Sequence, residues 1–267
     1  MILLDNVLQA SLFFLAMAAV FIPLERAYLA REKAIFRREW WTDVLFFFGQ
    51  SLLWNAFTLF SLNYLFSLLG PSVLAPLQNT FAKQNLFLQA FEVILLSDFC
   101  IYWGHRMQHQ FDFLWRFHRV HHTAESVDYI AAFREHPLDN IYTRGIETLP
   151  AFLLGFDLNW IAGFIAFRGI WALLIHSNIN LRLGFLEYLI GAPHLHHWHH
   201  DKEKGGSCNF ANLSPLMDLL FRSYYSPERA TQTFGIQEPV GRSYWRLLVE
   251  PFFSKSWLQK IDSKITK

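Results

Sequence analysis

Four apolar stretches organise the chain. Residues 7–24 and residues 44–69 hold no charged side chain. Residues 84–103 are apolar apart from a few polar positions that include Glu92 and Asp98. Residues 148–175 form the last stretch, interrupted by Asp157 and Arg168. A helix needs about 20 apolar residues to cross the hydrocarbon core, so the first three read as spans. The segment MILLDN ahead of the first carries Asp5 and no basic residue. That run is expected to be a retained anchor rather than a cleaved signal.

The charges between the stretches set an orientation. The loop at 25–42 holds Arg26, Arg31, Lys33, Arg37 and Arg38, whereas the loop at 70–83 holds only Lys83. The excess of positive charge predicts that 25–42 is cytoplasmic. Helix one then enters the cytoplasm, helix two leaves it, and helix three returns. Residues 105–147 fall on the cytoplasmic side. Residues 176–267 are also polar and basic, so the fourth stretch must come back on itself. The turn-like GFDLNW at 155–160 predicts a hairpin of 143–156 and 159–176, shallow or tilted because each arm is short. Residues 242–267 read as a basic amphipathic tail on the membrane.

Composition agrees. Apolar residues make up 53% of the 267 and charged residues 17%, unlike the usual soluble chain. Net charge is +1, which argues against a nucleic-acid partner. Two cysteines, Cys100 and Cys208, make no disulfide framework and no CxxC pair. The expected fold class is all-α and integral to the membrane. It has about four membrane helices or helical hairpins and a cytoplasmic histidine-rich helical cap. The whole chain is expected to be one domain: anchor helices at 1–90, a histidine-rich catalytic region at 91–225 and a basic interfacial tail at 226–267.

The twelve histidines lie between His105 and His200. His105 and His109 follow the third span at helical spacing i, i+4, about 40° apart on one face. His118, His121 and His122 form an H-x-x-H-H group, and so do His196, His199 and His200. Positions i, i+3 and i+4 share a helix face, so each group is expected to offer three nitrogens to one point. Ionisable groups at span ends are costly and usually functional. A histidine-only set suits iron, zinc, copper or nickel. One zinc takes four ligands, and these three groups with His176 exceed that, so two metals are expected to share them. No group contains the Glu-x-x-His motif of soluble di-iron bundles.

These groups, in this order and with this membrane pattern, resemble the fatty acid hydroxylase and sterol desaturase superfamily over roughly residues 90–225. The segments DFCIYWGHRMQH at 98–109, HRVHHTAESVDY at 118–129, FREHP at 133–137, HSNINLRLGFLE at 176–187 and PHLHHWHH at 193–200 carry the likeness. The resemblance implies a membrane non-haem di-iron oxygenase that hydroxylates or desaturates a lipid C–H bond, using O2 and two external electrons. It implies that the metal-binding and catalytic set is His105, His109, His118, His121, His122, His176, His196, His199 and His200. His136 and His197 are further candidates.

Other residues follow from these. Carboxylates that orient the imidazoles are expected among Asp98, Glu125, Asp128 and Asp139. Trp103, Trp115, Phe117 and Trp198 are expected to flank the site. No dinucleotide fingerprint and no iron–sulfur cysteine set is visible, so electrons must come from a separate reductase, ferredoxin or cytochrome. Arg31, Lys33, Arg37, Arg38 and the basic tail offer a docking face for it. The alternatives are a zinc-dependent membrane hydrolase, weakened by the lack of an H-E-x-x-H motif, and a non-catalytic membrane metal binder. A transporter would place its ligands mid-membrane rather than at span ends.

Overall fold

The computed structural model describes residues 2–68, 71–156, 158–231, 233–238 and 241–253. Much of the expected tail, 254–267, and the hairpin residue Asp157 lie outside the described residues. The described residues are helical, with two isolated β-bridges and no strand.

Three helices are long and apolar enough to cross a membrane: Leu4–Ala27, Trp40–Ser67 and Leu86–Gln110. Their large apolar side chains face outward, as in Leu15 (61% exposed), Phe60 (70%) and Phe87 (84%). Water would penalise that surface and lipid tails would not. The first is α1 (Ile2–Ala27). The second comprises α2 (Trp40–Gly49), a π-helical turn at Gln50–Trp54 and α3 (Asn55–Ser67). A short α4 (Pro71–Phe81) leads to the third, α5 (Leu86–Gln110). The side chain of Asn85 accepts the Leu88 amide and caps the start of α5. Helix α5 runs seven residues beyond the apolar stretch read from sequence, because that stretch ends at residue 103 while the helix goes on to carry the first histidine pair.

Extended backbone at Phe111 breaks α5 from α6 (Asp112–His122). A 3₁₀ turn at Tyr129–Phe133 follows, then α7 (Pro137–Leu154) and α8 (Leu158–His176). The expected hairpin is therefore present, but its first arm starts at Pro137 rather than 143. His136 caps that start with a ring nitrogen on the Leu138 amide, and Pro137 sits where a helix tolerates it best. Gly155 ends α7 with φ +73°, and a Cβ there would lie 2.8 Å from Gln78 Cγ. Only glycine meets both demands.

The hairpin is splayed. Helix α7 packs mainly along α5, while α8 packs on the Tyr129–Phe133 turn and on α9 (Pro193–His199). Phe21 of α1, Phe47 of α2, Ile130 of the turn and Leu173 of α8 share one buried cluster. The rest of the chain wraps the histidines through α10 (Leu216–Leu220) and α11 (Tyr244–Val249).

The basic loop after α1 is tied down internally. Lys33 reaches Asp128 at 2.5 Å and Glu25 at 3.1 Å, and Arg37 bridges Asp43 and Asp128. Arg31 donates to the Thr231 carbonyl at 2.7 Å. These three cations fix the 25–42 loop to the histidine-bearing region, so they do not form the free docking face expected of them. Arg38 remains exposed.

Candidate metal centre

Nine histidines converge in two adjoining groups. The first is His105, His109, His118, His122 and His199, and the second is His121, His176, His196 and His200. In each group the ring nitrogens lie within 4.8 Å of one another. The membership corrects the expectation that each H-x-x-H-H group serves one point. Successive helical residues are about 100° apart, so His121 and His122 must diverge. His118 and His122 stay together at i, i+4 in the first group, and His121 turns to the second. On α9 the exchange is reversed: His196 and His200 stay together in the second group, and His199 turns to the first. Each of the two H-x-x-H-H boxes thus contributes to both groups and holds them side by side, while His105 and His109 both serve the first.

The outer nitrogens are committed. Nδ1 of His105 meets the Phe210 carbonyl at 2.7 Å, and Nδ1 of His118 meets Asp139 at 3.0 Å. Nδ1 of His121 meets the Arg134 carbonyl at 3.2 Å, that of His176 the Ala172 carbonyl at 2.7 Å, and that of His199 the Cys208 carbonyl at 2.8 Å. An acceptor at Nδ1 places the proton there and leaves Nε2 with a bare lone pair. Yet the Nε2 atoms face one another: His105 and His118 at 3.1 Å, His121 and His176 at 3.0 Å. Two lone pairs at that distance repel unless a cation lies between them. Metal–nitrogen bonds of about 2.1 Å at right angles put ligand nitrogens about 3 Å apart. A proton is a poor substitute, because burial, then the neighbouring His176, holds His121 well below its ordinary value. Nε2 of His109 and Nδ1 of His196 and His200 are also buried without a hydrogen-bond partner. The donor set fits metal ions.

The supports come from places with no histidine signature. Asp218, 1% exposed, accepts the backbone amides of Phe210 and Ala211, and Asn209 ties Leu195 to Tyr225. Together they hold the 208–211 loop whose carbonyls meet His105 and His199. Gly206, at φ +67°, lies so close to His109 that a Cβ there would clash with its ring. Of the four carboxylates expected to orient imidazoles, only Asp139 does so, and it also binds Gln108 at 2.6 Å. Asp98 pairs with Arg168, Glu125 with Arg242 and Asp128 with Lys33 and Arg37. Of the aromatic candidates only Trp115 packs on the site, against His109 and His122. Trp103 packs on Phe221, Phe117 on His136, and Trp198 on Tyr225. Phe210, unremarked in the sequence, packs on His105, His109 and His199.

His136 and His197 stand outside both groups. His136 caps α7 and meets the Leu248 carbonyl at 3.1 Å. His197 lies between Arg31 and the Ser177 carbonyl. His194 meets the Pro227 carbonyl.

Two outcomes follow. Asp139→Asn keeps the shape but weakens the hold on His118 Nδ1, so metal affinity should fall roughly 10–100-fold in chelator competition. An unchanged affinity would remove Asp139 from the support of the site. The second concerns acid. Burial holds His199 and His197 at about 3, against 6.5 for the free side chain. Below 6.5 the unfolded chain therefore binds more protons than the folded one. The metal-free protein should be fully stable above about pH 6.5 and lose stability steadily from there toward pH 3. Thermal unfolding in detergent across that range checks it, and a flat profile contradicts it.

A cavity of about 120 Å³ opens in the splay of α7 and α8. Histidines of both groups line it, His105 and His118 from the first and His121, His176 and His196 from the second. Its remaining wall is partly polar and includes Glu135, which burial, and then the neighbouring Asp139, pushes up to about 7.

The geometry defines a histidine-rich site that could hold metal ions, joined to apolar, membrane-type helices. Residues 90–223, about half of the chain, match the fatty acid hydroxylase family, and the chain belongs to that family. It is 33% identical to an ornithine lipid hydroxylase of Rhizobium tropici over 183 residues, 66% of this chain and 54% of that protein. It is 28% identical to the alkylglycerol monooxygenase of Homo sapiens over 153 residues, 56% of this chain and 33% of that one. A Delta(7)-sterol 5(6)-desaturase of Gibberella zeae is 27% identical over 167 residues, 59% of this chain and 43% of that one. The chain thus spans about half the length of these relatives or less. No solved structure matches.

Proposed function

We propose that the protein is a membrane di-iron oxygenase that hydroxylates or desaturates a lipid C–H bond with O2 and two external electrons. The supporting observation is the facing of bare Nε2 atoms within two adjoining groups, inside the segment that matches the family. The ligands would be His105, His109, His118, His122 and His199 for one iron, and His121, His176, His196 and His200 for the other. When bound, the irons would supply the activation of O2. The chain's own residues do the rest. Asp139 and the carbonyls of Arg134, Ala172, Cys208 and Phe210 hold the imidazoles in one tautomer and orientation. The cavity admits the substrate between the groups and limits water. The relatives' names support a lipid substrate, such as an acyl lipid or a sterol.

The 25–42 loop and the histidine region share one side, because Lys33, Arg37 and Glu39 bond to Asp128 and Arg134. The positive charge of that loop supports a cytoplasmic active site in a multi-pass protein. The proposal keeps the chain as a single domain, with 1–90 as anchor helices, 91–225 as the catalytic region and 226–267 as an interfacial tail. The electron donor would be a separate protein.

Metal analysis of anaerobically purified protein tests the reading, with iron expected near two per chain. Lipid profiling of cells with and without the gene should show a product bearing a new hydroxyl or double bond. Zinc alone, with hydrolytic turnover, would overturn the proposal in favour of a hydrolase.

A further inference from the structure

Apolar outer surface continues beyond the three long helices. The 3₁₀ turn at Gly184–Tyr188 and helix α10 each hold one carboxylate, and each turns it inward. Glu187, 2% exposed, pairs with Arg182 at 2.8 Å and accepts the Leu183 amide. Asp218 accepts the Phe210 and Ala211 amides. Outward, both segments show large apolar side chains. Phe185 is 73% exposed and Leu220 69%, as open as Phe60 on its membrane-type helix, and Tyr188, Leu189 and Leu216 are exposed with them. The two segments adjoin, because the Tyr188 and Tyr224 rings stack at 5.4 Å and the Gly191 amide donates to the Leu213 carbonyl at 2.8 Å. Carboxylates inside and apolar side chains outside reverse the order that water imposes.

The position of this patch says what covers it. Phe221, the residue after α10, packs on Tyr102 and Trp103 of α5 with ring centroids 5.3 and 4.9 Å away. Leu96, Phe99 and Trp103 recur at i, i+3 and i+7 along one face of α5, and Leu96 and Phe99 are exposed. That outward stripe leads to the patch. Trp103 lies about 25 Å along α5 from Leu86, within a hydrocarbon core of about 30 Å. Lipid chains already surround the helix at that depth, and a water-borne protein would have to displace them. Arg222, next in the chain, is exposed at φ +60° and suits the lipid phosphates at the edge of such a contact.

We infer that the patch is a membrane contact separate from the spans, in which the 184–190 segment and α10 dip into the leaflet around the end of α5, with the lipid bilayer as their partner. The histidine-bearing half of the chain is then seated on the bilayer by its own surface. Ala211 and Asn212 line the cavity and lead into α10, so the contact fixes that wall of the cavity at the leaflet. The inference does not depend on the oxygenase reading.

Photo-crosslinking tests it on the full chain in vesicles of phosphatidylcholine and phosphatidylglycerol. Phe185 or Leu220 is replaced in turn by p-benzoylphenylalanine. Phe60 serves as the span reference, and Glu203, exposed in the polar 201–207 loop, as the water reference. Irradiation should add one phospholipid at positions 185 and 220 as often as at 60, and seldom at 203. Adducts to a second copy or to another part of the chain would mark a protein-covered face and overturn the inference. So would lipid yields no higher than at 203. Hydroxyl-radical footprinting of the unaltered chain in the same vesicles decides even if a replacement fails to fold. Phe185 and Tyr188 should be as shielded as Phe60, and oxidation well above that of Phe60 overturns the inference.

Discussion

His199→Ala is expected to abolish turnover, by more than about 100-fold, while the protein stays folded in the membrane. The variant deletes one of the five histidines of the first group and cuts the Cys208 carbonyl loose. The reciprocal exchange between boxes sharpens the expectation. His121→Ala and His122→Ala alter neighbouring residues on one helix, yet they should deplete different sites. His121→Ala removes a member of the four-histidine group, and His122→Ala a member of the five-histidine group. On the proposed di-iron reading each should retain about one iron, in different surroundings, so the two variants should differ in the spectroscopic signature of the iron that remains. Size-exclusion chromatography in detergent reads the fold independently. Two irons and full turnover in His121→Ala would remove that residue from the site, and identical spectra for both variants would reject the division into two groups.

That division was only half legible in the sequence. Spacing on a helix shows that His105 and His109, or His118 and His122, share a face. The same spacing rule puts His121 with them, because i+3 counts as the same face, and it gives no sign of a second group on the far side of His121. The partners come from α8 and α9, and their approach depends on how the hairpin splays, which no periodicity records. The apolar runs announced the three long helices, because twenty lipid-facing side chains leave a composition that cannot be hidden. The supports left weaker traces. Four of the five Nδ1 partners found here are backbone carbonyls, whose presence is independent of residue type. Asp218 and Asn209 together hold the loop that carries two of those carbonyls, and neither residue type marks that role in the sequence. Asp139 was visible as a candidate only beside three others of equal standing. Arg37 and Lys33 looked like a face for a partner because charge in a loop is normally solvated, whereas here Asp43 and Asp128 take them inside.

Arg168 gives the second large effect. It interrupts an apolar helix, where an unpaired charge is costly. Here it holds α5 through Asp98 and α7 through Glu147, and both carboxylates are nearly as buried as the arginine itself. Arg168→Met would leave Asp98 with no ion pair among the described residues and Glu147 with Arg144 alone. Removing one partner of a buried pair typically costs about 3–5 kcal/mol, because the remaining charge keeps its desolvation penalty. Unfolding in mixed micelles should show a loss of that size. Asp98→Asn in the same chain should recover much of it, since a neutral amide tolerates burial far better than a carboxylate. Such recovery would separate the cost of an orphaned charge from the loss of side-chain packing, which Asp98→Asn cannot repair. A loss below about 1 kcal/mol in the single variant would mean that water reaches Asp98 and that α5, α7 and α8 are not clamped there. The clamp also sets the width of the cavity, because the same three helices wall it. A destabilised Arg168→Met protein should therefore bind metal less tightly, although the ion pairs of Arg168 run to Asp98 and Glu147 rather than to the histidines.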